Sequence, residues 1–508
     1  MDMQISRRWF IGGLASWGAM GGLRGFAAPA GAYSQGKPRL RFGVVSDIHF
    51  RCYARTGNAK KEADWQANVA TFLKTLEWFR DQQVDGVMIA GDMADNGMVD
   101  QLQGVADCWY RVFPDDKAPD GRKVEKLFTL GNHDWEGGRY GDHAKKAFPD
   151  PAERARHLLC TDLKARWQEI FHEDFSPVYR KTVKGYSFVG AHWTQDKCKG
   201  KEETGIAGVG EFFAENGAQL DPKLPFFYFQ HPHPKGTCYG EFGWGQDDGR
   251  ATRALSAFPN AIAFSGHSHA PLTNEKSVWQ GAFTSLGTSS LRYTGGPGFP
   301  GVPKRGFENT GGGGMKVMKP FNGGDGRQGM LVSVYDDRVV FARRDFVYGL
   351  SLGDDWVLPL PAAEKKPFDF TVRARRSAAP EFPKTAALSI SKTAATVAPK
   401  KKGPKPKKGE APKTTPAWHL VFPAADAVAQ ARAYAYEVVA EPREGEPRTF
   451  RVLAQGYNMG PAHDLAKGVS FCTLAVEVLP AGTCRFAVSP VSSLGKKGRP
   501  LVSEYVEI

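Results

Sequence analysis

The stretch RLRFGVVSDIHF, residues 39–50, decides the fold. Its first half is an apolar run that reads as a strand, and it breaks off into Asp47 and His49. The next pattern, ADWQANVATFLKTLEWFR (63–80), places Trp65, Val69, Phe72, Leu73, Leu76 and Phe79 at helical spacing. DGVMIAGD (85–92) is again a short apolar run. Strand, helix and strand in that order predict an α/β layer structure. Working outward, KLFTLGNHD (126–134), YSFVGAHW (186–193), LPFFYFQHPHP (224–234) and AIAFSGHSH (261–269) add further strands. GMLVSVYDDRVVFARRDF (329–346) reads as a hairpin turning at Asp336-Asp337, and WVLPLP (356–361) closes the region.

Five of these runs end in residues that can hold a metal. The first supplies Asp47 and His49, and the second Asp92 and Asp95. The third supplies Asn132, His133 and Asp134, the fourth His231 and His233, and the fifth His267 and His269. Loops at one edge of an α/β sheet are where such folds gather their sites. Singly, each block has a plain reading: GD is a common turn, and His-x-His occurs in turns and cores. Together, five blocks of nitrogen and oxygen donors without thiolate suit Mn, Fe, Zn or similar divalent ions.

The order D-x-H, G-D-x-x-D, G-N-H-D, H, G-H-x-H resembles the calcineurin-like metallophosphoesterase superfamily, over roughly residues 39–350. The resemblance implies a four-layer α/β sandwich, two mixed β-sheets flanked by helices, in a domain over residues 38–375. It implies two divalent metal ions at the strand ends. Asp47, His49, Asp92 and His269 would hold one ion, and Asp92, Asn132, His231 and His267 the other, with Asp92 shared. A shared carboxylate offsets the repulsion of two dications about 3.5–4 Å apart. It also implies hydrolysis of phosphomonoesters or phosphodiesters by a hydroxide activated by the two metals. Asn132 and His133 would contact substrate, and His133 would meet the leaving alkoxide. Asp95 would orient His133 as an acid behind a catalytic histidine, with Asp134 as the alternative.

The blocks GDMADNG and GNHDW depart from the GDxxDRG and GNHE of protein Ser/Thr phosphatases. The arginine after the second Asp is missing, which turns the reading toward acid phosphatases and phosphodiesterases. His192 follows a strand run but matches no motif, so it reads as structural. His231 directly follows its run and is preferred over His233. His143, His157 and His172 lie in polar stretches and read as surface residues. Trp135, Trp193 and Trp244 lie in loops, where they could stack a base or only pack.

The rest of the chain sets the context. The first 30 residues, with Arg7-Arg8 before an apolar Gly-rich stretch and small residues around Ala27-Ala28-Pro29-Ala30, resemble a twin-arginine export signal. That implies a periplasmic or extracellular protein and passage through the twin-arginine export machinery. No run has the roughly 18 uninterrupted apolar residues of a membrane helix. Of the net charge of +13, residues 1–28 contribute +2 and the lysine run of 400–413 contributes +6. The remaining +5 is unremarkable, so a nucleic-acid partner is not expected. Residues 292–329 are rich in glycine and predict surface loops.

Beyond about residue 376 the composition turns to Ala, Pro, Lys and Thr, and short strand-like runs follow. Residues 380–508 predict a small all-β sandwich whose last strands resemble a fibronectin type III-like module. EFPKTAALSI (381–390) is a candidate first strand, and the Lys/Pro-rich flexible segment 400–413 an insertion after it. Seven cysteines without a CxxC pair argue against a thiolate zinc site, and Cys472 and Cys484 are candidates for a cross-link. Three functions compete. The first is a phosphohydrolase acting on a small-molecule, lipid or nucleotide phosphate ester. The second is a nuclease-type metallophosphoesterase, and the third a non-catalytic envelope anion-binding protein. The complete ligand set favours an enzyme.

Overall fold

The computed structural model describes residues 36–51, 59–135, 145, 148–194, 205–241, 243–294, 326–362, 364–396, 414–425 and 432–508. The signal-like segment 1–30, the lysine run 400–413, His143, Cys52 and Cys198 lie outside the described residues. Strand β1, Leu40–Val45, runs parallel to β2, Gly86–Ala90, and β2 runs parallel to β3, Glu125–Thr129. β2 is buried along its whole length, which is why it reads as a continuous apolar run rather than an alternating one.

Helix α1, Ala59–Asp81, links β1 to β2, and α2, Val99–Val112, precedes β3. Both press their apolar stripes on the sheet: Phe72, Leu76 and Phe79 from α1, Leu102, Val105 and Trp109 from α2. α3, Leu163–Phe171, adds Trp167 and Phe171 to the same layer. It starts at Asp162, whose carboxylate accepts from Ala165 N, and ends at His172 in the left-handed region.

A second sheet follows in the chain. Its strands are β4 (Val178–Val183), β5 (Tyr186–Ala191), β6 (Phe226–Phe229), β7 (Ala261–Ser265), β8 (Val278–Gln280) and β9 (Thr284–Gly287), in spatial order β8-β9-β7-β6-β5-β4. Helices α4, Val209–Asn216, and α5, Arg250–Leu255, cover its outer face through Phe213 and Leu255. The first sheet is completed by β10 (Gln328–Val334), β11 (Arg338–Asp345) and β12 (Trp356–Pro359), with β10 antiparallel to β1. Between the sheets Phe42 meets Phe188 and Phe227 edge-on, at 5.0 and 4.8 Å between ring centroids. The layers therefore run helix, sheet, sheet, helix. Both sheets are mixed.

Beyond helix Phe370–Arg376 the C-terminal region is all-β. β13 (Ser389–Thr396), β14 (Thr414–Pro423) and β17 (Val469–Ala475) form one sheet. β15 (Ala433–Pro442), β16 (Arg448–Leu453) and β18 (Thr483–Ser492) form the centre of another. The two share a core that includes Leu420, Tyr436, Val438, Leu474 and Phe486. The first strand begins at Ser389, eight residues later than Glu381, because residues 383–386 form a turn before it. Thr396 and Thr414 are register partners, so the lysine-bearing segment joins two paired strands. Cys472 and Cys484 are buried free thiols on strands of different sheets and form no cross-link with each other. Cys160, by contrast, is disulfide-bonded. Among the described residues no helix is long and apolar enough to cross a membrane.

Candidate metal centre

The carboxyl ends of β1, β2, β3, β6 and β7 open on one side, because these strands are parallel within their sheets. The chain turns sharply at each end. Asp47, His49, Asp92, His267 and His269 all take positive φ, between 49° and 67°. That conformation costs a non-glycine residue on the order of 1 kcal/mol or more, so five such residues at one place mark a site rather than a chance turn. The preceding glycines serve closeness. A Cβ on Gly131 would land on Asp92 Oδ1, and one on Gly266 would lie 2.5 Å from Asp47 Oδ2.

Besides the grouping of His49, Asp95 and His133, two sets of donor atoms result: Asp47, His49 and His269 form the first, and Asp92, His231 and His267 the second. Asp92 Oδ2 stands between them, 3.7 Å from His49 Nε2 and 3.1 Å from His231 Nε2. Asp47 Oδ1 lies 3.0 Å from His269 Nε2, and the Nε2 atoms of His49 and His269 are 3.2 Å apart. Asn132 is buried beside His133, in the single turn Asn132–Trp135. Among the described residues Asp47 Oδ1, Asn132 Oδ1 and His231 Nε2 are buried without a hydrogen-bond partner. Buried polar atoms are ordinarily satisfied, so atoms left open together at one point fit a cation.

The surroundings fix how each ligand faces. His231 Nδ1 donates to Ala90 O at 2.8 Å and His269 Nδ1 to Tyr293 O at 3.0 Å. A carbonyl can only accept, so these rings carry their proton on Nδ1 and turn Nε2 to the centre. Ser46 Oγ donates to Asp47 Oδ2 at 2.5 Å, and His133 N donates to Asp92 Oδ1 at 2.9 Å. Burial alone would raise both carboxylates, yet the neighbouring histidines hold them well below the usual range. His49 is pushed up to about 10, because its contacts with Asp47 and Asp95 outweigh its burial. His267 falls to about 3, through burial and the charge of His231. Nitrogen and oxygen donors at this density match two divalent ions.

The carboxylate of Asp95, expected behind His133, lies within 4.8 Å of ring nitrogens of both His49 and His133, but its closest contacts are not with His133. It lies 3.3 Å from His49 Nδ1 and 3.0 Å from Arg51 Nε. His133 Nδ1 donates instead to the backbone carbonyl of Asp95 at 2.9 Å. A main-chain carbonyl suffices to orient the ring, which leaves the carboxylate for His49. Asp134 is not an orienter of His133 either. Its carboxylate accepts from Ala94 N at 2.6 Å and Gly131 N at 2.7 Å, tying the β2 and β3 loops together. Burial and the charge of Asp92 push it up to about 7.

The other histidines stand apart. His233 is held between Ser265 Oγ and Ser268 Oγ, both at 2.7 Å. His192 accepts from Leu130 N and is packed by Trp167, Phe175 and Tyr179. His157 stacks on Phe148, and His172 caps α3. Of the loop tryptophans, Trp135 packs against the helical layer and Trp193 against the second sheet. Trp244 is 50 % exposed and stacks on His267 at 4.8 Å and 16°.

These strand ends lie inside the stretch that matches a known family. The calcineurin-like phosphoesterase family matches residues 40–271. Residues 40–271 are a calcineurin-like phosphoesterase domain. The phosphoesterase domain makes the chain a phosphoric ester hydrolase, with candidate ligands for a dinuclear metal centre. Among solved structures the chain is similar to a dimetal phosphatase from Danio rerio, at 11% identity and a TM-score of 0.35, over 64% of this chain and 99% of that one. It is also similar to the purple acid phosphatase PPD1 from yellow lupin seeds, at 15% identity and a TM-score of 0.37, over 63% of this chain and 53% of that one. No curated protein matches the chain.

One part of the phosphoesterase site was invisible to motif reading. The loop after β9 forms a sixth strand end. Thr288 Oγ1 donates to Ser46 Oγ at 2.6 Å, Ser290 Oγ to Asp47 O at 3.0 Å, and Tyr293 O receives His269. Its residues are Ser, Thr, Leu, Arg and Tyr, which carry no ligand signature. Arg51 and Arg292 also come to this side, anchored through Asp95, Asp64 and Asn68. A basic residue two places after His49 was the only hint.

Proposed function

We propose that the protein is an exported two-metal phosphohydrolase acting on a small phosphomonoester or phosphodiester. The observation that supports it most is the pair of donor groupings about Asp92, with His133 beside them. Asp47, His49, Asp92 and His269 would hold one ion, and Asp92, Asn132, His231 and His267 the other. When bound, two such ions polarise the phosphate and make water nucleophilic at neutral pH.

The chain's own residues do the rest. Asn132 and His133 contact the phosphate. His133 keeps its Nδ1 proton on the Asp95 carbonyl, so Nε2 is the atom that delivers a proton to the leaving oxygen. Burial and the charge of His49 lower its pKa, which makes the protonated ring a stronger acid. Arg51 and Arg292, held by Asp95 and Asp64, are the guanidinium groups on this side, in place of the arginine absent after Asp95. Trp244 offers a flat exposed face over His267 to the leaving group. The export signal, the periplasmic or extracellular location and the fibronectin type III-like character of residues 380–508 belong to the same proposal. They rest on the resemblance of residues 1–30 and of the last strands.

The deciding experiment is hydrolysis of a chromogenic phosphomonoester and a chromogenic phosphodiester, metal-free and then with Mn²⁺, Fe²⁺ or Zn²⁺ restored. Turnover that returns with metal supports the proposal, and the ratio of the two rates assigns the ester class. A folded protein that binds no metal and turns over neither ester refutes it.

A further inference from the structure

The C-terminal β region does not merely follow the phosphoesterase domain. Its turn over residues 454–460 is inserted against the metal centre's sixth strand end. Tyr457, Asn458 and Met459 are buried there, Asn458 completely. Thr273 Oγ1 donates to Tyr457 O at 2.6 Å and Gln328 Nε2 to Asn458 O at 2.6 Å. Gln328 is itself buried, and its Oε1 receives Leu272 N at 2.8 Å. The turn is gripped from its own side by Arg432, whose guanidinium donates to Met459 O and Gly456 O. Consecutive bonds from Tyr457 N to Ala454 O and from Met459 N to Gly456 O keep it rigid.

From this turn one side chain reaches the site. Asn458 Nδ2 donates to Thr294 Oγ1 at 2.5 Å. Thr294 is buried, and the peptide joining it to Tyr293 carries the carbonyl that receives His269 Nδ1. Gly326 closes the arrangement, since a Cβ there would lie 2.9 Å from Thr294 Oγ1 and 3.2 Å from Asn458 Nδ2. We infer that Asn458 is a positioning residue for the metal ligand His269, acting through Thr294 and the Tyr293 carbonyl. The C-terminal region is thereby part of the catalytic apparatus. The inference rests on the two-metal reading for its consequence, but the chain of bonds does not depend on a bound ion. Partners that orient a ligating histidine typically change metal affinity about 10–100-fold when removed.

The test uses the full chain with Asn458→Ala, Thr294→Val and Thr294→Ser. Thr294→Val keeps the shape and removes the acceptor, and Thr294→Ser restores a hydroxyl. The first readout is the nitrogen NMR of His269 in metal-free protein, which reports the tautomer. A single Nδ1-protonated form is expected in the wild type and Thr294→Ser, and a mixture in the other two. The second is titration with Mn²⁺ or Co²⁺, where one of two ions should bind about 10–100-fold more weakly in Asn458→Ala and Thr294→Val, the other unchanged. If Asn458→Ala does not fold, the two threonine variants decide. An unchanged His269 tautomer and unchanged affinities in folded Thr294→Val overturn the inference. A wild type that binds no ion overturns the two-metal reading instead, and the tautomer readout alone then decides the role of Asn458.

Discussion

At the scale of single residues, Asp95 separates two pictures of the centre. If its carboxylate served His133, Asp95→Asn would lower kcat and leave metal binding alone. The observed contacts, with His49 and Arg51, give the opposite expectation. Asp95→Asn should weaken metal binding about 10–100-fold, measured by titration, with activity largely recovered at high metal concentration. His133→Ala should behave in the complementary way. The metal content stays at the wild-type value while kcat falls about 10²–10⁴-fold, because only proton delivery is lost. Metal analysis of that variant beside its kinetics checks the assignment, and a loss of metal would place His133 among the ligands.

At the scale of elements, the strand ends are held by buried neutral groups as well as by ligands. His192, directly after β5, has a folded pKa pushed down to about 3 by burial and by Lys181, against an ordinary value of 6.5. Below pH 6.5 the unfolded chain takes up a proton that the folded chain refuses. Its contribution is therefore intact above pH 6.5 and is lost by about 1.4 kcal/mol per pH unit as pH falls toward 3. Urea unfolding between pH 7 and pH 4 should show a slope shallower by about one proton in His192→Gln than in the wild type. An identical slope would mean that His192 is protonated in the fold.

These elements also show why only part of the site was legible. The runs before Asp47, Asp92, Asn132, His231 and His267 are apolar and end in ligand-type residues, so chain order alone brought them forward. The loop after β9 follows a strand too, but it works through hydroxyls and main-chain carbonyls. Serine and threonine are common in every loop, and a carbonyl has no sequence signature. The role of the Asp95 carbonyl was hidden for the same reason.

At the scale of the whole molecule, a buried ionic cluster ties the layers together. Glu275, in the loop before β8, receives Arg343 Nη1 from β11 at 2.9 Å, Trp356 Nε1 from β12 at 2.9 Å, and Arg373 from helix Phe370–Arg376. Its backbone N donates to Ser493 Oγ of the C-terminal region at 2.9 Å. Burial would raise the Glu275 pKa, but Arg343 and Arg373 hold it down. Glu275→Ala leaves two buried guanidinium groups without their carboxylate, which typically costs about 3–5 kcal/mol. Thermal unfolding should then start at a clearly lower temperature. A melting curve equal to the wild type would show that water satisfies both arginines.

The amino-acid order by itself determined the alternation of strands and helices, because apolar periodicity is a local property of each segment. It also determined which residue types stand at the strand ends, and so the class of chemistry. Only the tertiary structure decided which partner each of them meets. His233 lies two residues from His231, yet one turns to the centre and the other is held between two serines. Asn458 is remote from every motif and is brought beside Thr294 by the docking of a separate sheet region. Such pairings depend on contacts between segments 32 to 164 residues apart, and no local pattern in a single sequence encodes them.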